Sequence, residues 1–202
     1  DPKSVLVIPA YAAIDPRLFR AIQLSGVTYY AHHGCSDLPQ WRSRLLTLAL
    51  EQGAHRVLMM DADIIPAPEQ IEWLATTELV TPEQAVTGLY VMRSGEAWAC
   101  EGPDVEDRHA GLGFCAVHAE SLRRLADTLP TLRNPQPWWP FCIPFWRGER
   151  YYADDYSLWC RLRETGTRLH VQESCIVGHA VETVRRQPGG DATEPPRQGG
   201  KG

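Results

Sequence analysis

Three things are missing from this sequence, and each absence removes a class of protein. No cysteine stands in a C-x-x-C pair: Cys35, Cys100, Cys115, Cys142, Cys160 and Cys175 are scattered singly. The spacing of a structural zinc site or a thioredoxin-like redox centre is therefore excluded, and buried free thiols in a reducing compartment are expected. No apolar run approaches the ~20 residues of a membrane-spanning helix, and "DPKSVLVIPAY" lacks the layout of a signal peptide. The expectation is a protein with no membrane partner, cytoplasmic by default, or in a host's cytoplasm for a phage-encoded chain. The missing initiator methionine leaves an earlier targeting segment open. Positive charge is not in excess either: the formal net charge is −5, which argues against holding nucleic acid by a general basic field.

What is present is enough for one domain with a sizeable core. The 202 residues are 44% hydrophobic and 22% charged, ordinary for a globular chain. We read a domain over 1–186 and a flexible tail over 187–202, "QPGGDATEPPRQGGKG", too rich in glycine and proline to fold alone. "SVLVIPAY" predicts a buried strand, and "DPRLFRAIQLSG" a helix with Asp15 as N-cap, Pro16 at the first position and Gly26 past its end. "VTYYAHHG" predicts a second strand. In "LPQWRSRLLTLALEQG", Trp41, Leu45, Leu48 and Ala49 share a helical face. "RVLMMDAD" and "APEQIEWLA" repeat the strand and helix, so the class is α/β with a parallel sheet covered on both faces. After "AVTGLYVMR" the alternation loosens: Phe114 to Val117 reads as a strand, Ala119 to Leu129 as a helix, and mixed or antiparallel strands are expected.

The chemistry is signalled where strands end. Ligands of open α/β sheets bind outside the carboxyl ends of the strands, where Asp61, Asp63 and the Pro9, Ala10, Tyr11 loop must lie. Side chains two apart on a strand share a face, so Asp61 and Asp63 are expected side by side as hard oxygen ligands for Mg²⁺ or Mn²⁺. Residues 134 to 152 hold four prolines and seven aromatics, which forbids a helix and makes either a groove wall or a stiff cover over the core. Asp154 and Asp155 open the next helix, one as a candidate N-cap and one as a candidate general base. His179 ends the last apolar segment. Arg123, Arg124, Arg133, Arg147 and Arg150 outnumber the acids between 120 and 150, a mildly basic rim compatible with an anionic acceptor.

In order and spacing these segments resemble the GT-A glycosyltransferases, particularly family 2 and related short bacterial and phage enzymes. The resemblance covers about Ser4 to Ala180. "WRSRLLTLALEQG" resembles the family's alanine-arginine-asparagine helix, with Arg42 at the arginine and Ser43 where asparagine is usual. "VLMMDADIIPAPEQIEWL" is similar to the D-x-D strand and its helix. "GLGFCAVHAESLRRL" resembles the G-x-G-F segment, placing Gly111, Gly113 and Phe114 at a sugar and acceptor pocket with Trp138, Trp139 and Trp146. "YYADDYSLWCRLRETGTRLHV" looks like the glutamate-aspartate segment, with Asp155 at the base and Asp154 replacing the glutamate. "IVGHA" looks like the histidine that completes metal binding.

The resemblance implies a single-domain, Rossmann-like mixed sheet, mainly parallel and flanked by helices. It implies a hexosyltransferase that moves a sugar from a nucleotide diphosphate sugar, UDP-sugar favoured, to an acceptor hydroxyl. Pro9, Ala10, Tyr11, Arg42, Arg44 and Asp61 are the donor-binding candidates, Asp61, Asp63 and His179 the ligands of Mn²⁺ or Mg²⁺, and Asp155 with Asp154 the catalytic pair. Inversion is expected; retention stays open, because retaining enzymes of this fold also carry a D-x-D and a late histidine. The acceptor's identity is left open, with a carbohydrate compatible and a hydroxymethylated DNA base as the alternative. Two other classes remain: a sugar-nucleotide nucleotidyltransferase, disfavoured because "IPAYAAIDPR" has no glycine, and a non-catalytic carbohydrate-binding module.

Overall fold

The structure is a computed structural model and describes residues 3–91, 100–101 and 109–180. Its first half follows the sequence pattern closely. Strand β1 (Ser4–Ala10) leads to helix α1 (Pro16–Ser25), β2 (Thr28–His33), α2 (Leu38–Glu51), β3 (Arg56–Met60), β4 (Ile64–Ile65), α3 (Pro68–Thr76) and β5 (Gln84–Leu89). The Asp15 carboxylate accepts from the Arg17 backbone N–H at 2.8 Å, and Gly26 closes α1 in the left-handed conformation at φ 67°.

The second half contains short elements. They are β6 (Cys100–Glu101), β7 (His109–Ala110), β8 (Phe114–His118), α4 (Ala119–Ala126), β9 (Leu132–Arg133), β10 (Pro137–Trp138), β11 (Phe145–Arg147), β12 (Arg150–Tyr152), α5 (Asp154–Glu164), β13 (Arg168–Ile176) and β14 (Gly178–His179). The proline-rich stretch forms two antiparallel hairpins, β9–β10 and β11–β12, rather than one groove wall. The predicted tail over 187–202 and the segments 92–99 and 102–108 lie outside the described residues.

Six strands form the central sheet in the order β13-β5-β8-β3-β1-β2. All neighbours run parallel except β8, which is antiparallel to both β3 and β5. The period of two along each strand builds two cores. Val5, Val7, Val57 and Met59 face α2, α4 and α5, whereas Leu6, Ile8, Leu58 and Met60 face α1 and α3. This three-layer arrangement leaves the carboxyl ends of β1 and β3 at one pole. Among the described cysteines, Cys35, Cys115, Cys142, Cys160 and Cys175 are free and buried. Among the described residues, no helix is long and apolar enough to cross a membrane.

Candidate active site

The D-x-D segment does not continue the strand. Strand β3 stops at Met60, and a turn closed by Ile64 N–H donating to Asp61 O at 3.2 Å carries the chain into β4. In this turn the two carboxylates find different partners. Asp61 meets Arg42 of α2, whose Nη2 lies 2.5 Å from Asp61 Oδ1. The other guanidinium nitrogen pairs with Asp154 at the start of α5. Arg42 was expected to meet a diphosphate; it is instead 8% exposed and joins carboxylates from two distant segments. Burial alone opposes its charge, but Asp61 and Asp154 outweigh that and hold its pKa above the ordinary value.

Asp61 is also pressed against the G-x-G-F segment. Its backbone N–H donates to Gly113 O at 3.2 Å, and a Cβ on Gly113 would stand 2.7 Å from the Tyr90 hydroxyl and 3.2 Å from Asp61 Oδ2. Only glycine fits there. The Gly113 N–H donates to Tyr90 Oη at 3.0 Å, and Tyr90 meets His179 edge to face. Burial first, then the Asp61 charge, raises the Tyr90 pKa well above that of an ordinary phenol, so it stays neutral. The sequence reading missed Tyr90; the available signal was a tyrosine ending an apolar strand, because a buried hydroxyl needs a polar partner.

Asp63 turns toward the last strand. β14 pairs with β4 in antiparallel register, His179 opposite Ile64 and Gly178 opposite Ile65. Gly178 permits this approach, since a Cβ there would lie 3.2 Å from Ile65 O. The pairing brings His179 Nε2 to 3.3 Å from Asp63 Oδ2, while Nδ1 lies 2.9 Å from Val91 O. A carbonyl can only accept, so Nδ1 carries a proton toward Val91 O, and Nε2 faces the Asp63 carboxylate, an imidazole nitrogen and a carboxylate oxygen of the donor types that divalent ions take. Asp63 and His179 therefore fit a divalent ion as part of its ligand set. Asp61 does not join them, and no group of three metal-ligating side chains is assembled among the described residues.

Asp155 lies in the first turn of α5, half-buried, its carboxylate accepting from the Tyr156 N–H at 2.8 Å. The N-cap is Ala153, so neither aspartate caps the helix. Burial first, and then Asp154, raise the Asp155 pKa above its ordinary value, opposed by the Tyr156 N–H and then by Arg42. Asp155 thus combines a position at the strand-end pole with a raised affinity for a proton, while Asp154 is held by Arg42.

The remaining candidates disperse. Pro9 and Ala10 are buried, and Tyr11 is 75% exposed at the end of β1. Asp15 N–H donates to Ala62 O at 2.8 Å, tying the loop after β1 to the D-x-D turn. Arg44, expected at the donor, is about 200° around the helix from Arg42, where it lies over the rings of Trp41 and Trp138. Phe114 is wholly buried in the core and cannot wall a sugar pocket, whereas Gly111 is half-buried. Trp138 is buried against α2, Trp139 packs on the core beside Phe141, and Trp146 is 68% exposed on β11, so the three tryptophans sit in different surroundings. Arg123 and Arg124 donate to Ala54 O and Pro82 O, just before β3 and β5, at the opposite pole from Asp61.

No sequence-family model matches the chain, and no curated protein matches it in sequence. Solved structures do match in shape. A197 from STIV aligns with a TM-score of 0.61 at 15% identity, covering 89% of this chain and 86% of that one. A glycosyltransferase involved in glycosylation of the major capsid of PBCV-1 aligns with a TM-score of 0.52 at 12% identity, covering 88% and 94%. The mannosyltransferase PcManGT from Pyrobaculum calidifontis, solved with GDP-Man and Mn²⁺, gives 0.51 at 16%, covering 91% of this chain and 58% of that one. The chain has the GT-A-like fold of these glycosyltransferases.

Proposed function

We propose that this chain is a metal-dependent glycosyltransferase that moves a sugar from a nucleotide diphosphate sugar to an acceptor hydroxyl, with inversion. The carrying observation is that side chains far apart in sequence converge at the carboxyl ends of the strands: Asp61 with Arg42 and Asp154, Asp155 beside them, and Asp63 against His179. The shape likeness to the PBCV-1 glycosyltransferase and to a mannosyltransferase solved with Mn²⁺ supports the same reading.

The loop after β1, with exposed Tyr11, is the side on which a nucleoside would rest. Asp63 and His179 would hold the divalent cation, which neutralises charge on the departing diphosphate. Asp155 takes the proton from the acceptor hydroxyl as its oxygen bonds to the anomeric carbon, and the bond from that carbon to the diphosphate oxygen breaks. Attack opposite the leaving group inverts the centre. Asp154 and Arg42 hold the first turn of α5 and hence the base. Arg123 and Arg124 lie at the opposite pole, which leaves fewer cations for a DNA acceptor and favours a carbohydrate hydroxyl.

Thermal stabilisation by UDP, GDP, CMP and dTDP and their sugars, with and without Mn²⁺, tests this on the wild type and Asp63→Ala. The expected result is a Mn²⁺-dependent rise with one nucleotide family, UDP first, that Asp63→Ala loses. No rise with any nucleotide sinks the transferase reading.

A further inference from the structure

Tyr90 directly follows β5, is 4% exposed, and lies between the surroundings of Asp61 and those of Asp63. The period of two along β5 sets Val86 and Tyr90 in the core that faces α1 and α3, with Gly88 between them. A Cβ on Gly88 would stand 2.8 Å from Phe114 Cδ1 and 2.7 Å from Cys175 O, so the glycine lets β8 and β13 close on β5. Because β8 runs antiparallel, its start lies at the same pole as the end of β13. Gly113, just before β8, and His179, just beyond β13, therefore both meet Tyr90.

Each end of the tyrosine is engaged. Oη accepts the Gly113 N–H at 3.0 Å, and Gly113 O accepts the Asp61 N–H at 3.2 Å. The ring meets the His179 imidazole with 5.7 Å between centres and 83° between planes. The backbone beside it holds the same segment: Leu89 O accepts the Val177 N–H at 2.8 Å, and Val91 O lies 2.9 Å from His179 Nδ1. A histidine side chain has two soft torsions. The contact with Val91 O fixes one point on the imidazole rim and leaves the plane free to turn about it. The edge-to-face tyrosine removes that freedom, and Nε2 then stands 3.3 Å from Asp63 Oδ2. The hydroxyl bond to Gly113 keeps the tyrosine ring itself from swinging. The contacts thus run from the Asp61 backbone through Gly113, Tyr90 and His179 to Asp63, and leave the Asp61 carboxylate to Arg42.

We propose that Tyr90 is a positioning residue that fixes the plane of His179, holding Nε2 toward Asp63 and so tuning the pair that would take a divalent cation. The fixed plane stands on the contacts themselves; its use for a cation rests on the transferase reading. Two measurements test the two parts separately. Proton NMR of the metal-free, ¹⁵N-labelled protein follows exchange of the His179 Nδ1–H, which His179→Gln identifies among the seven histidines by its loss. Electron paramagnetic resonance of free Mn²⁺, with and without nucleotide, gives the affinity for the ion. Tyr90→Phe keeps the ring and removes the hydroxyl, whereas Tyr90→Leu removes both. Ser121→Ala deletes another buried hydroxyl bond, to Pro82 O at 2.7 Å, and is the control for a general loss of stability. Exchange is compared equally far below each melting temperature, which also establishes that each variant folds.

The wild type should show a protected Nδ1–H. Its exchange should quicken about threefold in Tyr90→Phe and about tenfold or more in Tyr90→Leu, and stay unchanged in Ser121→Ala. The Mn²⁺ dissociation constant should rise about tenfold in Tyr90→Leu. Four results overturn the proposal: no protected Nδ1–H in the wild type, wild-type exchange in either folded Tyr90 variant, equal quickening in Ser121→Ala, or an unchanged Mn²⁺ affinity in Tyr90→Leu. A wild type that keeps the protected proton and binds no Mn²⁺ instead sinks the cation site of the transferase reading, and the exchange rates still decide whether Tyr90 fixes His179.

Discussion

Burial, and then the neighbouring Asp154, raise the pKa of Asp155, so at neutral pH the fold holds a carboxylate that its surroundings disfavour. A folded pKa above the ordinary 3.8 means the native state binds this proton more tightly than the unfolded chain. Stability from this group is therefore lost as pH rises from 3.8 through the folded value. Asp155→Asn removes that cost along with the base: transfer should fall about 10²–10⁴-fold while the melting temperature at pH 7 holds or rises. Initial rates and thermal scans on one preparation check this, and a parallel drop in both would make Asp155 structural. In the wild type, the acid limb of kcat/KM should lie above pH 3.8. Arg42 presents the opposite balance. Arg42→Met leaves two carboxylates without their partner and should cost about 2–4 kcal/mol by urea unfolding. That is at the lower side of buried-pair losses, because Asp61 and Asp154 side chains keep 30% and 22% of their exposure.

Helix α4 depends on a histidine for its start. His118 Nδ1 accepts the Glu120 N–H at 3.2 Å, which requires a neutral ring, and its Nε2 lies 3.3 Å from His55 Nε2. Burial first, then His55, Arg56 and Arg123, lower the His118 pKa below 6.5, with Glu120 opposing. Because the unfolded chain then binds the proton more tightly, stability is present above 6.5 and lost as pH falls through the folded pKa. His118→Asn keeps a capping oxygen without the titration, so its melting temperature should fall less than that of the wild type between pH 7 and pH 5. An equal fall would place the acid sensitivity elsewhere. Such a cap was not legible beforehand, whereas Asp15, Pro16 and Gly26 marked α1 completely, because their signals are local. The same contrast runs through the site. The run ending at Asp61 announced a strand, but the different partners of Asp61 and Asp63 depend on the turn after Met60 and on residues far along the chain. Arg42 read as a residue near the ligand because nothing local showed that Asp61 and Asp154 would both reach it. Ser43 stood out only as a departure from the family pattern. In the structure its hydroxyl donates to Pro39 O at 2.8 Å and accepts the Cys142 N–H at 2.9 Å, anchoring the aromatic segment to α2.

Across the whole molecule, Asp61 and Asp63 belong to different networks, and this predicts that fold stability and ligand response separate. Asp61, Arg42 and Asp154 join β3, α2 and α5, so Asp61→Asn should lower the melting temperature without any ligand by weakening a buried ion pair. Asp63 and His179 join β4 to β14, beyond the end of the six-stranded sheet. His179→Gln should leave the metal-free melting temperature nearly unchanged and abolish the part of the nucleotide response that needs Mn²⁺. A ligand at 100 times its Kd stabilises the native state by about 2.7 kcal/mol, or about 5–11 °C for a chain of this size. That increment is large enough to measure against a mutational change of a degree or two. Thermal scans of both variants, with and without Mn²⁺ and nucleotide, give the decisive comparison. If His179→Gln keeps the full Mn²⁺-dependent increment, the ion is not held by the Asp63–His179 pair, and the donor site must be rebuilt around Asp61.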